Sequence, residues 1–185
     1  MLAAAFDDDP FWRAVGPPQG LRRRAVARLS NRIELIDAVG RGEPAFVACE
    51  GPRITGVVLT SLGSASSPLW ATLHSTALGL GGPRTLSRTR EIGHVITTAR
   101  PREPHVYLAV LAVSPEDQGE GIGSRLTQRV AQVADERRLP ITLETMRAQN
   151  LGFYSRLGFL VTGHTQLFDE LDIWFLRREA RKSTS

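Results

Sequence analysis

Cysteine is nearly missing from this chain. Cys49 stands alone among 185 residues, so no internal disulfide can form. That suits a reducing, cytoplasmic location, and Cys49, inside a short apolar segment, is expected in the core. Lysine is as scarce: Lys182 is the single one, and every other basic residue is arginine. Coding bias explains that pattern better than function does. The net charge is only +4. The clusters Arg22-Arg23-Arg24 and Arg177-Arg178 with Arg181-Lys182 lack interleaved aromatics, and no DNA-binding motif accompanies them, so no nucleic-acid partner is expected. A mild positive field suits a small polyanion instead. No apolar run reaches the roughly 18 residues a membrane helix needs, so no membrane partner is expected. The opening Met1–Phe6 runs straight into Asp7-Asp8-Asp9, unlike a signal peptide. His74, His94, His105 and His164 show no metal-ligand spacing, so no metal is expected. No Ser-His-Asp order, internal repeat or low-complexity segment is present.

The chain has the size of one domain, 1–185. Residues 2–6 read as the end of a helix, and Pro10, Pro17 and Pro18 break the chain after it. Residues 21–39 read as a helix with Ala25, Leu29, Ile33 and Ile36 on its buried stripe, closed by Gly40 and Gly42. Residues 45–49 and 54–59 form a hairpin across Gly51-Pro52. A Ser/Gly/Ala loop at 62–67 leads to helices over 69–80 and 85–98. Residues 105–113 are apolar on both faces, which places that strand centrally in a sheet. A helix follows to about 138, with Ile122, Leu126, Val130 and Val133 at helical spacing. A strand at 141–145, a short helix at 150–157 and a strand pair at 159–164 and 171–176 complete the α/β pattern.

Between the central strand and its helix lies Gln118-Gly119-Glu120-Gly121-Ile122-Gly123. Glycines let a backbone approach an anion closely. The first turn of a helix offers unpaired N–H groups and the positive end of the dipole. A phosphorylated ligand is the natural occupant. A dinucleotide fingerprint would need its third glycine at Ser124 and a shorter loop after the strand, although Glu144 does fall near the position for the acidic residue. A Walker-type loop needs a lysine that is not there.

The pattern that matches is Q/R-x-x-G-x-G/A. Here the chain resembles the GNAT superfamily of acetyl-CoA-dependent acetyltransferases. Leu143-Glu144-Thr145 followed by Asn150, Tyr154, Gly158 and Phe159 is similar to that superfamily's Asn…Tyr-x-x-x-Gly-Phe block, and together the blocks cover about 104–163. Glu103-Pro104-His105 with Tyr107, Val113-Ser114-Pro115 and the 143–145 block resembles the branch containing puromycin N-acetyltransferase, as do residues 2–6 with Asp9-Pro10. Members of that branch carry a strand before the 2–6 segment. Either that first strand is missing here or the start lies upstream.

The resemblance implies a mixed, mostly antiparallel sheet that splays beside the central strand. It implies acetyl-CoA as co-substrate, with the pyrophosphate on Gln118, Gly119, Glu120, Gly121, Ile122, Gly123 and Ser124, the pantetheine arm along Leu111, Ala112 and Val113, and Asn150 close by. An amide near Leu111 or Ala112 would stabilise the thioester oxyanion. Tyr154 matches the family's general acid, and a phenol is still protonated at neutral pH. Glu144 is the candidate base, direct or through water. Asp7, Asp8, Asp9, Phe11 and Trp12 are candidates to line an acceptor pocket. The expected reaction is direct acetyl transfer to a primary amine of a small molecule. The alternatives are a protein N-terminal or lysine acetyltransferase and a non-catalytic acyl-CoA-binding module. A homodimer is left open.

Overall fold

The computed structural model describes residues 9–18, 20–62 and 68–181. The expected helix end at 2–6, Asp7, Asp8 and most of the loop at 62–67 lie outside them. The described elements run α1 (Pro10–Val15), α2 (Gly20–Gly40), β1 (Ala45–Glu50), β2 (Arg53–Ser61), α3 (Pro68–Gly79), α4 (Pro83–Ala99), β3 (Val106–Val113), a 3-10 turn (Pro115–Asp117), α5 (Ile122–Glu136), β4 (Ile141–Thr145), α6 (Gln149–Arg156), β5 (Leu160–Leu167) and β6 (Leu171–Arg178).

The strands form one mixed six-stranded sheet in the order β1-β2-β3-β4-β6-β5. All neighbours are antiparallel except β3 and β4. The strand that reads as apolar on both faces, β3, is interior as expected. Among the described residues no strand precedes α1, and β1 forms one edge.

The parallel β3–β4 contact is short. Only Val106↔Ile141 and Tyr107↔Thr142 pair, after which β4 continues along β6. Its cause lies on the other side of β3. Leu59 pairs with Val110 and Thr60 with Leu108, so Ala109 is left unopposed in a bulge. A bulge bends and twists its strand, and here it carries the second half of β3 away from β4. The sheet therefore splays from Leu108 onward.

Two clusters hold this frame. Val58, Val106, Leu126, Val130, Ile141 and Phe159 pack α5 and the end of α6 on the sheet. Trp12, Val15, Ile92 and Ile173 join α1 and α4 to β6. Packing of α5 is close because Gly56 lies beneath it. A Cβ added there would stand 2.8 Å from Ile122 Cγ2 and 3.0 Å from Leu126 Cδ1. Gly56→Ala should therefore cost about 1–3 kcal/mol through overpacking. A thermal melt should show a loss of roughly 2–10 °C, and an unchanged midpoint would show slack in that contact.

Two expectations need correction. The buried positions of α2 are Val26, Ser30, Asp37 and Ala38, while Leu29 and Ile36 are exposed at 39% and 42%. The helix turns a polar stripe inward, and its leucine and isoleucine face out. Cys49 is exposed rather than in the core. The β1–β2 register shifts between Ala48 and Cys49, which breaks the in–out alternation just before it.

The basic C-terminal cluster is largely paired within the fold. Arg178, 5% exposed, makes a two-point contact with Asp135 at 2.9 and 2.8 Å. Arg177 meets Glu103 and Glu179. No helix among the described residues is long and apolar enough to cross a membrane.

Candidate active site

A cleft of about 730 Å³ opens where β3 and β4 part. One wall is the free edge of β3. The Ser114 N–H donates to the Thr55 carbonyl of β2 at 2.8 Å. Strand alternation then sends the Ala112 N–H toward β2 as well. The N–H groups of Leu111 and Val113 point the other way, to the edge that β4 has left. The oxyanion candidate narrows accordingly to the Leu111 amide.

The glycine turn continues this wall. Gly119 and Gly121 have φ of +91° and +76°, a backbone conformation that side chains resist. Gly121 caps α5 without a side-chain hydrogen bond, so the first-turn amides of Ile122, Gly123 and Ser124 have no i−4 carbonyl and no side-chain cap. At Gly123 an added Cβ would already touch Phe153 and Val113 at 3.5 and 3.7 Å. Asp117, buried beneath the turn, holds Arg53 of β2 at two points, 2.9 and 2.8 Å. The Gln118 side chain donates to the Val113 carbonyl at 3.3 Å. These contacts brace the turn against the strand end, so its amides stay oriented.

Leu111, Ala112, Val113, Gln118, Gly119, Gly121, Ile122, Gly123, Ser124, Glu144, Asn150 and Tyr154 all line the cleft. Glu120 does not; it is exposed, and its carbonyl accepts from Arg125. The side chain of Ile122 is in the core, which leaves its backbone alone for a ligand. Asn150 donates to Thr145 Oγ1 at 3.1 Å and fastens α6 to the end of β4.

Tyr154 is 7% exposed, with Phe153 and Phe159 in edge contact at 4.9 and 5.5 Å. Burial, then the charge of Glu144, pushes its phenol above the ordinary range. Glu144 accepts a hydrogen bond from the Tyr107 hydroxyl. Burial raises its carboxyl despite that bond and despite Arg100. The Arg100 guanidinium carbon lies over the Tyr107 ring, 3.6 Å from its centre.

The far end of the cleft, away from the glycine turn, holds residues that the apolar reading of α2 missed. Ser30, Asn31 and Glu34 face the cleft, with His74 of α3 and Thr89 of α4 opposite. Ser30 Oγ lies 2.5 Å from His74 Nε2, and burial lowers the His74 pKa, so the ring is neutral. Glu34 lines the cleft and is partly buried. Burial first, then Glu144 and Asp37, raises it to about 7, against Arg41 and Arg100. The signal for this wall was present: Ser30, Glu34 and Asp37 fall at i, i+4 and i+7, one face of a helix.

Asp9, Phe11 and Trp12 do line the cleft. Asp9 caps α1 by accepting from the Phe11 N–H at 2.9 Å and stands 3.8 Å from Arg147. Trp12 is a core residue, 5% exposed, in edge contact with Phe11. His164 pairs with Asp172 and stacks on Trp174, while His94 and His105 are apart from the cleft. No group of His, Cys, Asp or Glu among the described residues could hold a metal ion.

Comparison with known proteins agrees with this fold. A 5-NmdU N-acetyltransferase of Pseudomonas phage PaMx11 is 31% identical over 64 residues, which is 35% of this chain and 46% of that protein. The chain thus matches about half the length of this curated relative. The structure of histone acetyltransferase HPA2 and related acetyltransferase from Corynebacterium glutamicum superposes with a TM-score of 0.65 at 24% identity, covering 100% of this chain and 90% of the other. Drosophila melanogaster polyamine N-acetyltransferase, which forms N-acetylagmatine, gives 0.65 at 16% identity, covering 96% and 90%. At such identities the likeness is one of fold. The model of the Acetyltransferase (GNAT) family reaches further, matching residues 29–159. That span starts within α2, crosses the splayed strands and the glycine turn, and stops just past the helix of Tyr154; over two thirds of its length, then, this chain belongs to the GNAT acetyltransferase family.

Proposed function

We propose that this chain, as one domain, transfers an acetyl group from acetyl-CoA to a primary amine of a small molecule by direct attack. One observation carries the reading. The free edge of β3 and the unpaired amides of the glycine turn meet in the same cleft as Tyr154 and Glu144. Pantetheine carries amide groups, so it can add to the β3 edge through Leu111 and Val113 as a further strand. Its pyrophosphate fits the amides from Gly119 to Ser124. Charge-assisted hydrogen bonds there contribute roughly 1.5–3 kcal/mol each. The Leu111 amide is placed to receive the thioester oxygen as charge builds on it.

Acetyl-CoA supplies the activated acyl group. Glu144, held by Tyr107, takes the proton of the incoming ammonium, directly or through water. The freed amine attacks the thioester carbonyl, the C–S bond breaks, Tyr154 gives its proton to the departing sulfur, and the second proton shed by the nitrogen as it becomes an amide restores the Tyr154 phenol. No acyl-enzyme is needed.

Side chains from four helices, including Trp12, Ser30, His74 and Thr89, line the acceptor end. A lining of short polar side chains beside an aromatic ring suits a small amine. The narrower likeness to the puromycin N-acetyltransferase branch rests on Glu103-Pro104-His105 and the 143–145 block; puromycin belongs in the acceptor panel for that reason. The deciding experiment incubates the protein with acetyl-CoA and a panel of amines and follows free CoA thiol. Acceptor-dependent thiol release is expected. Saturable CoA binding with no release across mono-, di- and aromatic amines would leave only a binding module.

A further inference from the structure

Among the described residues four carboxylates line the cleft: Asp9, Glu34, Asp117 and Glu144. Three are engaged. Asp9 caps α1, Asp117 holds Arg53, and Glu144 accepts from Tyr107. Glu34 is different. Among the described residues it accepts no hydrogen bond and makes no ion pair within 4 Å, although Asp37, one turn on, is paired with Arg41. A partly buried carboxylate left without a partner is costly. It survives in a cleft wall where something else completes it.

We propose that Glu34 binds a second cationic group of the acceptor, so that the preferred substrate is a small diamine or amino-guanidine. This rests on the acetyl-transfer reading above and assigns the two acidic groups separate tasks. The reacting ammonium loses its proton to Glu144. The distal cation keeps its charge and pairs with Glu34. The surrounding charges agree. Facing Glu34 are Glu144 from β4, Asp37 and Arg41 from α2, and Arg100 from the end of α4; the neighbouring phenol of Tyr107 on β3 and the imidazole of His74 on α3 are both neutral. Asp37 and Arg41 cancel one another, and Arg100 offsets one of the two glutamates. One negative charge remains, which a proton or one fixed cation satisfies. A monoamine that gives its proton to Glu144 balances the net charge but brings Glu34 no direct partner, which a distal cation does.

The distal cation competes with a proton on Glu34, so its binding should tighten as pH rises through about 7 and should release a proton. The Ser30–His74 contact lies one helical turn from Glu34, and Asn31 Nδ2 is buried with no partner beside it. Among the described carboxylates lining the cleft, Glu34 is the one with no bonded partner.

The test compares 1,4-diaminobutane, 1,5-diaminopentane and 4-guanidinobutylamine with butylamine and pentylamine, on the full chain and on Glu34→Gln. In the unmodified protein, kcat/KM for the dications should exceed that for the matched monoamines by about 10- to 100-fold, the scale of one charge-assisted contact. In Glu34→Gln that ratio should fall to near one. Glu34→Asp, with charge kept and reach shortened, should restore part of it. Calorimetric titration of the diamine in buffers of different ionisation enthalpy gives a readout independent of turnover: proton release near pH 7 that Glu34→Gln abolishes. Equal use of mono- and diamines by the unmodified protein overturns the proposal, as does a Glu34→Gln loss shared equally by both. If no amine releases thiol, the acetyl-transfer reading fails; diamine binding with Glu34-dependent proton release would still support the site, and its absence would sink that as well. Folding of the variant is separately legible. Glu34 is raised in the folded state, so its contribution to stability is full below its ordinary range and is lost as pH rises through about 7. Glu34→Gln should therefore melt no lower than the parent at pH 8.

Discussion

Tyr154→Phe should lower kcat by about 100-fold or more, within the usual range for removing a general acid, while CoA affinity stays nearly unchanged. The substitution is clean. The ring of Tyr154 packs edge-on between Phe153 and Phe159, and a phenylalanine ring keeps both contacts. Only the hydroxyl is lost. That hydroxyl cannot be needed for the pyrophosphate, which is assigned to the turn at Gly119–Ser124 on another element. Binding and chemistry should therefore separate: calorimetry with CoA gives the first, and steady-state thiol release gives the second. Equal losses in both would mean that Tyr154 only shapes the cleft.

The same assignment fixes one limb of the pH profile. A general acid must hold its proton, and Tyr154 is pushed above the ordinary phenol range by burial and by the charge of Glu144. The rate should then show no alkaline decline, as pH rises, until at least about pH 10, the ordinary phenol pKa. A descending limb near neutrality would require a different donor.

Much of this site was visible in the sequence for a physical reason. The cradle is made by the backbone, and a backbone that must approach an anion needs glycine, so Gly119, Gly121 and Gly123 carry the signal themselves. The strand before them is interior, and an apolar run marks it. Tyr154 lies in the block between Asn150 and Phe159 and was legible with it. The acceptor wall was harder to see. Periodicity finds helix faces by assuming that buried positions are apolar. In α2 the inward positions include Ser30, Glu34 and Asp37, because that face contacts a polar cleft as well as the core. The method therefore selected Leu29 and Ile36, which face outward. A search for polar residues at helical spacing would have found the wall. The splay had no local signature either, since it follows from a bulge opposite Leu59 and Thr60, a matter of pairing register rather than of any one residue. The buried Tyr107–Glu144 contact joins residues 37 positions apart. The sequence presented Glu144 as a base and Tyr107 only as a strand residue.

Glu144→Gln tests that pairing and should give a loss that depends strongly on pH. An alkylammonium has a pKa near 10, so at pH 7 about one molecule in a thousand is the free amine. A base beside the bound ammonium removes that limit, and general-base catalysis is worth about 10²- to 10⁴-fold. The variant should thus lose about 10²- to 10³-fold in kcat/KM at pH 7. The difference should shrink as pH rises, because solution then delivers the neutral amine, and should nearly vanish close to pH 10. In the parent enzyme the base must be unprotonated. Burial raises Glu144 above its ordinary value, so activity should fall as pH drops through that raised range, with Glu34, at about 7, ionising alongside it. The pair would appear as macroscopic steps rather than as one residue's titration. Gln keeps an oxygen that can accept from Tyr107, so the Arg100–Tyr107 stack should persist in the variant. A loss of the same size at every pH would contradict proton removal by Glu144 and would leave it as a strut for Tyr107.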